Sequence, residues 1–167
     1  MNLYQSLGYL VLGSRLRRLS EAFLSEINRI YQNEGIDFDA SWFPVFYLLS
    51  QNNSLSIKEL SERTEVSHPA ASQLITNLRN KNLVETTVSA DDGRRQIVQL
   101  TEKGKALLQE ILPIWDAITA GMTGLEGDNQ RIKDLLPAIA AMEDTFRGYD
   151  LSGKVAEKLK ADTGAKL

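Results

Sequence analysis

Along residues 2–33 the apolar side chains Leu3, Leu7, Leu10, Val11, Leu19, Phe23, Ile27, Ile30 and Tyr31 return at mostly helical spacing. Arg15, Arg17, Arg18, Glu21, Glu26 and Arg29 take the other face. That period predicts one long amphipathic helix, and Gly35 can adopt the left-handed conformation that closes it. A second helix is expected through Trp42, Val45, Phe46, Leu48 and Leu49, capped by Asp39 or Ser41, with Pro44 tolerated in its first turn. Its aromatic density marks it as core. After the polar cluster at 51–54, a third, short helix starts from Ser56, with Glu59 at the spacing of a capping box. Ile57, Leu60 and Val66 are expected to face inward, and Lys58, Glu62 and Arg63 outward. Ser67 then caps a fourth helix with Pro69 in its first turn, and two short helices joined so tightly are the signature of a helix-turn-helix.

Past this helix the period changes to two. Residues 83–89 are rich in β-branched side chains, and 95–100 alternate Ile97, Val98 and Leu100 with polar positions. Ala90, Asp91, Asp92 and Gly93 between them carry hairpin-turn chemistry, so two strands and a tight turn are expected. Thr101 is placed to cap another helix, with Glu102 favourable to its dipole. Helical spacing returns in Ala106, Leu107, Ile111, Ile114, Trp115 and Ile118, and again in Ile132, Leu135, Leu136, Ile139, Met142 and Phe146. An interruption is expected between Gly121 and Gly127, with local kinks or breaks at Pro113 and Pro137. Beyond Gly148 the sequence turns polar and small, which suggests a frayed helix or a mobile tail.

Composition narrows the classes. The 167 residues, 43% hydrophobic and 25% charged, suffice for one good core with helical extensions. A formal net charge of -3 excludes a protein that coats nucleic acid by bulk charge, so any such binding must come from a local patch. The absence of cysteine rules out disulfides, thiolate zinc sites and thiol redox sensing, and the single histidine, His68, rules out a histidine-rich metal site. No leader pattern and no run of about 18 apolar residues is present, so a soluble, cytoplasmic protein with no membrane association is expected.

The candidate chemistry concentrates in the fourth helix and the turn that follows it. Ala71, Leu74, Ile75 and Leu78 fall on one side. The other presents His68, Ala70, Ser72, Gln73, Thr76, Asn77 and Asn80, short or amide-bearing groups able to approach base edges and phosphates. No acidic residue lies between Ser67 and Asn82, whereas an ordinary solvated helix mixes glutamate with lysine. At the hairpin tip, Arg94 can reach a minor groove and profit from its negative potential, with Arg95 beside it, and Asp92 can orient the guanidinium. The chain therefore reads as a winged helix-turn-helix that binds DNA. His68 is more ordinary as a polar helix-start residue than as a ligand. Asp37 and Asp39 fit a loop and a helix cap better than an acid/base pair, since no nucleophile, histidine partner or phosphate loop accompanies them. No catalytic constellation, cofactor site or metal site is expected. Trp42, Phe43, Phe46 and Tyr47, with Tyr4 and Tyr9, could line an effector pocket, but most of them suit the core better.

The order of elements, with Ile57-Lys-Glu-Leu-Ser61, Ser67-His-Pro-Ala-Ala-Ser72, Leu78-Arg-Asn-Lys-Asn-Leu-Val84, Asp92-Gly-Arg-Arg95 and Leu100-Thr-Glu-Lys-Gly104, resembles the multiple-antibiotic-resistance regulator (MarR) family over nearly the whole chain. The resemblance implies a mainly α fold with a small two-stranded β-wing. It further implies an N-terminal dimerisation helix at 1–35, a winged DNA-binding region at 39–100, C-terminal dimerisation helices at 101–147 and a tail at 148–167. It implies a homodimer that docks on a pseudo-palindromic double-stranded operator as a repressor or activator, with an affinity that a small-molecule effector can change. The wing arginine of the family falls on Arg94 and its orienting aspartate on Asp92; Ser67 and Pro69 match the start of the recognition helix, and Ser72 and Gln73 its contact face. The DNA-contacting set is expected to be Ser67, His68, Pro69, Ala70, Ser72, Gln73, Thr76, Asn77, Arg79, Asp92, Arg94 and Arg95. The family often has a basic residue where Gln73 stands, and a glycine and a basic strand start where Asn82 and Glu85-Thr-Thr87 stand. Asn82 can still take the left-handed conformation. The acidic total charge also fits a second class, a winged module whose partner is a protein.

Overall fold

A computed structural model describes residues 3–88, 93, 95–129 and 131–164. The chain divides into two compact units, Met1–Ile114 and Trp115–Leu167. The N-terminal segment is not one helix. A turn of helix α1 (Leu3–Ser6) gives way to a 3₁₀ turn at Gly8–Val11 and then to α2 (Leu12–Asn33). The break falls at Gly8, whose φ of +55° leaves helical space, a signal that the apolar spacing on either side conceals. Only the last turns of α2 enter the core of this unit, through Ile27 and Tyr31; Tyr9 and Leu10 are 89% and 88% exposed.

Asp39 caps a 3₁₀ turn at Ala40–Trp42 by accepting from the Ser41 amide at 2.8 Å, and α3 (Phe43–Gln51) follows with Pro44 in its first turn. Ser56 ends a two-residue strand, β1 (Leu55–Ser56), and caps α4 (Ile57–Arg63) through the expected capping box with Glu59. Helix α5 (His68–Asn80) starts from Ser67, whose hydroxyl accepts from the Ala70 amide. Strands β2 (Val84–Val88) and β3 (Gln96–Leu100) pair antiparallel from Val84↔Leu100 to Val88↔Gln96. The sheet has a third strand that the sequence did not suggest, because β1 is too short to show a period. It pairs with the other edge of β3, Leu55 opposite Val98 and Ser56 opposite Ile97.

The core gathers round Phe38, which stands in the loop before α3. Its ring meets Tyr31, Trp42 and Phe46 edge-on, with centroids 4.9, 5.5 and 5.0 Å away. Leu60, Leu78, Val84, Val98 and Ile111 complete it. Val66, expected inward, is 42% exposed. Glu65 at φ +54° redirects the chain there, and the Val66 backbone is held instead by Ser61, whose hydroxyl donates to the Val66 carbonyl at 2.8 Å.

Helix α6 (Glu102–Asp128) runs uninterrupted across Pro113 and through Gly121, Gly124 and Gly127, so the expected interruption at those glycines falls later, after Asp128. In the second unit α7 (Leu135–Phe146) holds Pro137 within its first turn, where a missing amide hydrogen costs no helical bond. Where a frayed helix or a tail was expected, α8 (Leu151–Gly164) begins from Asp150, whose carboxylate accepts from the Gly153 amide at 2.9 Å and the Ser152 hydroxyl at 2.8 Å. These bonds hold the Asp150 carboxyl below its ordinary value.

Candidate nucleic-acid interface

The turn between α4 and α5 and the exit from α5 are built by the same device. At the end of α5 the Asn82 amide donates to the Arg79 carbonyl at 2.9 Å and the Leu83 amide to the Leu78 carbonyl at 3.0 Å, with Asn82 at φ +58°. This is a Schellman stop. The end of α4 repeats it with Glu65 donating to Glu62 and Val66 to Ser61. Two sharp stops set α4 and α5 as separate short helices and start the wing directly after α5.

Ala71, Ile75 and Leu78 anchor α5 in the core. His68, Pro69, Ala70, Gln73, Asn77, Arg79 and Asn80 are exposed, and Ser72 and Thr76 are half-buried. Several of the outward groups already hold one another. The Gln73 amide nitrogen donates to Asn77 Oδ1 at 3.0 Å, the Thr76 hydroxyl donates to the Ser72 carbonyl at 2.9 Å, and His68 Nδ1 and Ser72 Oγ lie 3.4 Å apart. Ser67 at the N-cap takes the Ala70 amide and Pro69 carries no amide hydrogen, so the first turn has little open amide beyond that of His68. The helix dipole still favours an anion at this end, and Arg79 in the last turn complements the other.

Asp92 and Arg94 lie outside the described residues. Arg95 is described at the root of the wing, one residue before β3, and its Nη2 donates to Glu59 Oε2 at 3.3 Å. Between the first turns of α4 and α5 and this root runs a groove of about 470 Å³, lined by Ser56, Lys58, His68, Ser72, Arg95 and Gln96. Lys58 was expected only to face outward and Gln96 was not singled out, since nothing local marks a residue that tertiary packing brings to a groove. At the far end of α5, Lys81 pairs with Asp37 at 3.0 Å and lies over the Trp42 ring, while the Lys103 ammonium donates to the Lys81 carbonyl at 3.0 Å.

The exit of α5 is fixed to α6. Thr101 Oγ1 donates to the Asn82 carbonyl at 2.6 Å and accepts from the Gly104 amide at 3.0 Å, and the Thr101 amide donates to the Leu83 carbonyl at 3.1 Å. Gly104 approaches so closely that a Cβ there would lie 2.0 Å from the Leu83 carbonyl oxygen.

Of the aromatic set considered for an effector, Trp42 and Phe46 are core. Phe43 and Tyr47 stack on each other at 5.6 Å and are partly exposed, as is Tyr4, while Tyr9 is almost wholly exposed. Among the described residues no group of three or more histidine, aspartate or glutamate side chains is placed to hold a metal, and no helix is long and apolar enough to cross a membrane.

Two short helices set by sharp stops, an exposed acid-free face on the second, and a three-stranded sheet behind a hairpin define a winged helix-turn-helix protein. The family model for MarR proteins matches residues 36–95 of the chain. It is 27% identical over 128 residues to the HTH-type transcriptional regulator FarR of Neisseria gonorrhoeae, covering 75% of this chain and 86% of that protein. It is 24% identical over 126 residues to the transcriptional repressor IacR of Pseudomonas putida, covering 74% of each. Among solved structures, the fold matches MepR of S. aureus in complex with DNA, at a TM-score of 0.65 and 22% identity over 77% of this chain and 95% of that one. It also matches the transcriptional repressor CouR bound to a DNA duplex, at 0.67 and 24% over 82% and 96%. NadR, solved with 4-hydroxyphenylacetate, matches at 0.54 and 24% over 75% and 89%.

Proposed function

We propose that this protein is a dimeric, sequence-specific DNA-binding transcriptional regulator of the MarR type, and not an enzyme, working in the cytoplasm. The observation that carries this is the outward face of α5. It is exposed, rich in amide and hydroxyl groups and free of acid from Ser67 to Asn82, and it stands beside a basic wing root in a chain whose total charge is -3. An exposed helix face without acid, next to an arginine, suits a polyanion. In this reading Ser67, His68, Pro69, Ala70, Ser72, Gln73, Thr76, Asn77 and Arg79 meet the major groove and its phosphates. The wing, through Arg94 oriented by Asp92 and with Arg95 beside it, meets the minor groove. Residues 1–35 and 101–147 supply the dimer contacts, and a small ligand can change the affinity, as the ligand-bound relative suggests.

The test is to recover bound fragments from genomic DNA at a stated salt concentration and titrate the recovered site. The expected result is a pseudo-palindrome whose affinity falls with salt, and for Arg94→Ala a weaker complex with a log–log salt slope shallower by about 0.9. An unchanged affinity and slope removes Arg94 from the interface. Failure of the folded dimer to enrich any DNA means either that an effector is required or that the winged module faces a protein partner, the reading that the acidic total charge keeps open.

A further inference from the structure

The Glu59 carboxylate does more than close a helix. Its Oε2 accepts from the Ser56 amide at 2.8 Å and the Ser56 hydroxyl at 2.5 Å, and the Glu59 amide donates back to Ser56 Oγ at 3.2 Å. The same oxygen takes the Arg95 guanidinium at 3.3 Å. Ser56 is also the last residue of β1, paired with Ile97 of β3. One carboxylate thus joins the cap of α4, the edge of the sheet and the wing.

The place of Arg95 gives this junction its meaning. The β2–β3 ladder ends at Val88↔Gln96, so Arg95 is the first residue past the last paired position on the returning strand. It is held to the body of the protein beyond the reach of the ladder. A capping box requires only an acceptor at this position, which glutamine supplies as well as glutamate. The charge of Glu59 strengthens the bonds from Ser56, and beyond the cap it acts on Arg95. The bonds from Ser56, with Arg95 and Arg63 adding smaller attractions, keep the Glu59 carboxyl below its ordinary value, so it stays ionised. The pair is half-exposed, 50% on the arginine and 38% on the glutamate, and its Arg95 lines the groove together with His68 and Ser72 of α5.

We infer that Glu59 is a positioning residue for DNA binding: it holds Arg95, and with it the wing, in the orientation that engages the duplex. The inference rests on the DNA-binding reading above. An arginine held in place before the duplex arrives loses less side-chain freedom on binding. The inference also opposes the simplest electrostatic expectation. Removing a negative charge from a DNA-facing surface should tighten binding, whereas removing a positioning residue weakens it.

The experiment compares the full-length wild type, Glu59→Gln, Arg95→Gln and the double variant. Glutamine keeps an acceptor for the cap but not its charge, so Glu59→Gln should remain fully folded at neutral pH with a modestly lower denaturation midpoint. Its affinity for the recovered operator should fall by about three- to tenfold with the salt slope unchanged. In the Arg95→Gln background, Glu59→Gln should cost nothing further. Equal or tighter binding by Glu59→Gln, or losses that add in the double variant, overturns the inference. A DNA-free readout separates it from the larger reading: amide exchange at Gln96 and Ile97 should quicken in Glu59→Gln while α4 stays protected. Unchanged exchange overturns the positioning role even if wild type binds no DNA, in which case the regulator reading falls on its own.

Discussion

Asn82 carries a backbone conformation that few side chains accept. At φ +58° it terminates α5 by the Schellman pattern, and asparagine tolerates this region where a β-branched side chain does not. Asn82→Val should lower unfolding stability by about 1–2 kcal/mol and Asn82→Gly should stay within about 0.5 kcal/mol of wild type, both read by urea denaturation. At Gly104 the constraint is space. Any Cβ there overlaps a backbone carbonyl that cannot step aside, so Gly104→Ala should cost about 1–3 kcal/mol despite alanine's better helix propensity. Glu59 adds a pH dependence of known sign. Its carboxyl titrates lower in the folded chain than in the unfolded one, so its contribution is fully present above the ordinary value of 4.5 and is lost as pH falls through the depressed folded value. The stability of Glu59→Gln should therefore decline less steeply than that of wild type as pH drops below 4.5, a comparison that thermal melts at stepped pH will make.

At the scale of elements, each unit presents apolar faces that its own packing does not use. On α2, Leu16, Leu19 and Phe23 recur along one side and stay exposed, and in the second unit Leu135, Leu136, Phe146, Leu151, Val155 and Leu159 do the same. Repeated large apolar side chains on a helix surface mark contact with another chain. Sedimentation equilibrium should give a two-chain mass for the wild type and a one-chain mass for Leu16→Glu/Leu19→Glu; a wild type that sediments as one chain contradicts the dimer. The same elements show what a sequence discloses. The helix-turn-helix was legible because Ser56, Glu59, Ser67 and Pro69 are local signals whose physics acts within a few residues. The stop at Gly35 was legible for the same reason, and the equivalent stop at Glu65 was not, since nothing in glutamate announces a positive φ. Phe38 looked like a loop residue between two aspartates, yet three aromatic partners make it the centre of the core. The bond from Arg95 to Glu59 spans 36 positions of sequence and leaves no trace in any local pattern. On the candidate surface, local chemistry showed the face of α5, while the groove beside it, with Lys58 and Gln96, exists only once the chain has folded.

For the molecule as a whole, a net charge of -3 means that the proposed DNA affinity cannot come from a broad field and would be assembled from a few contacts, made twice in a dimer. In the proposed dimer, two copies of α5 related by a two-fold axis would read half-sites about 34 Å apart along the duplex. Inserting about five base pairs between the half-sites places them on opposite faces and should reduce binding to the level of a single half-site, whereas inserting a full turn of about ten should restore part of it. Electrophoretic mobility titrations on the three spacings will show this periodicity, and an affinity indifferent to spacing excludes a rigid dimeric reader. The joint at Gly104 bears on that rigidity. It has no clearance: rolling the start of α6 toward the Asn82–Leu83 loop would drive a backbone into a carbonyl, and Thr101 is bonded to both residues of that loop. The final turn of α5 is thus geared to the first turn of α6, and torque applied to one is delivered to the other without slip.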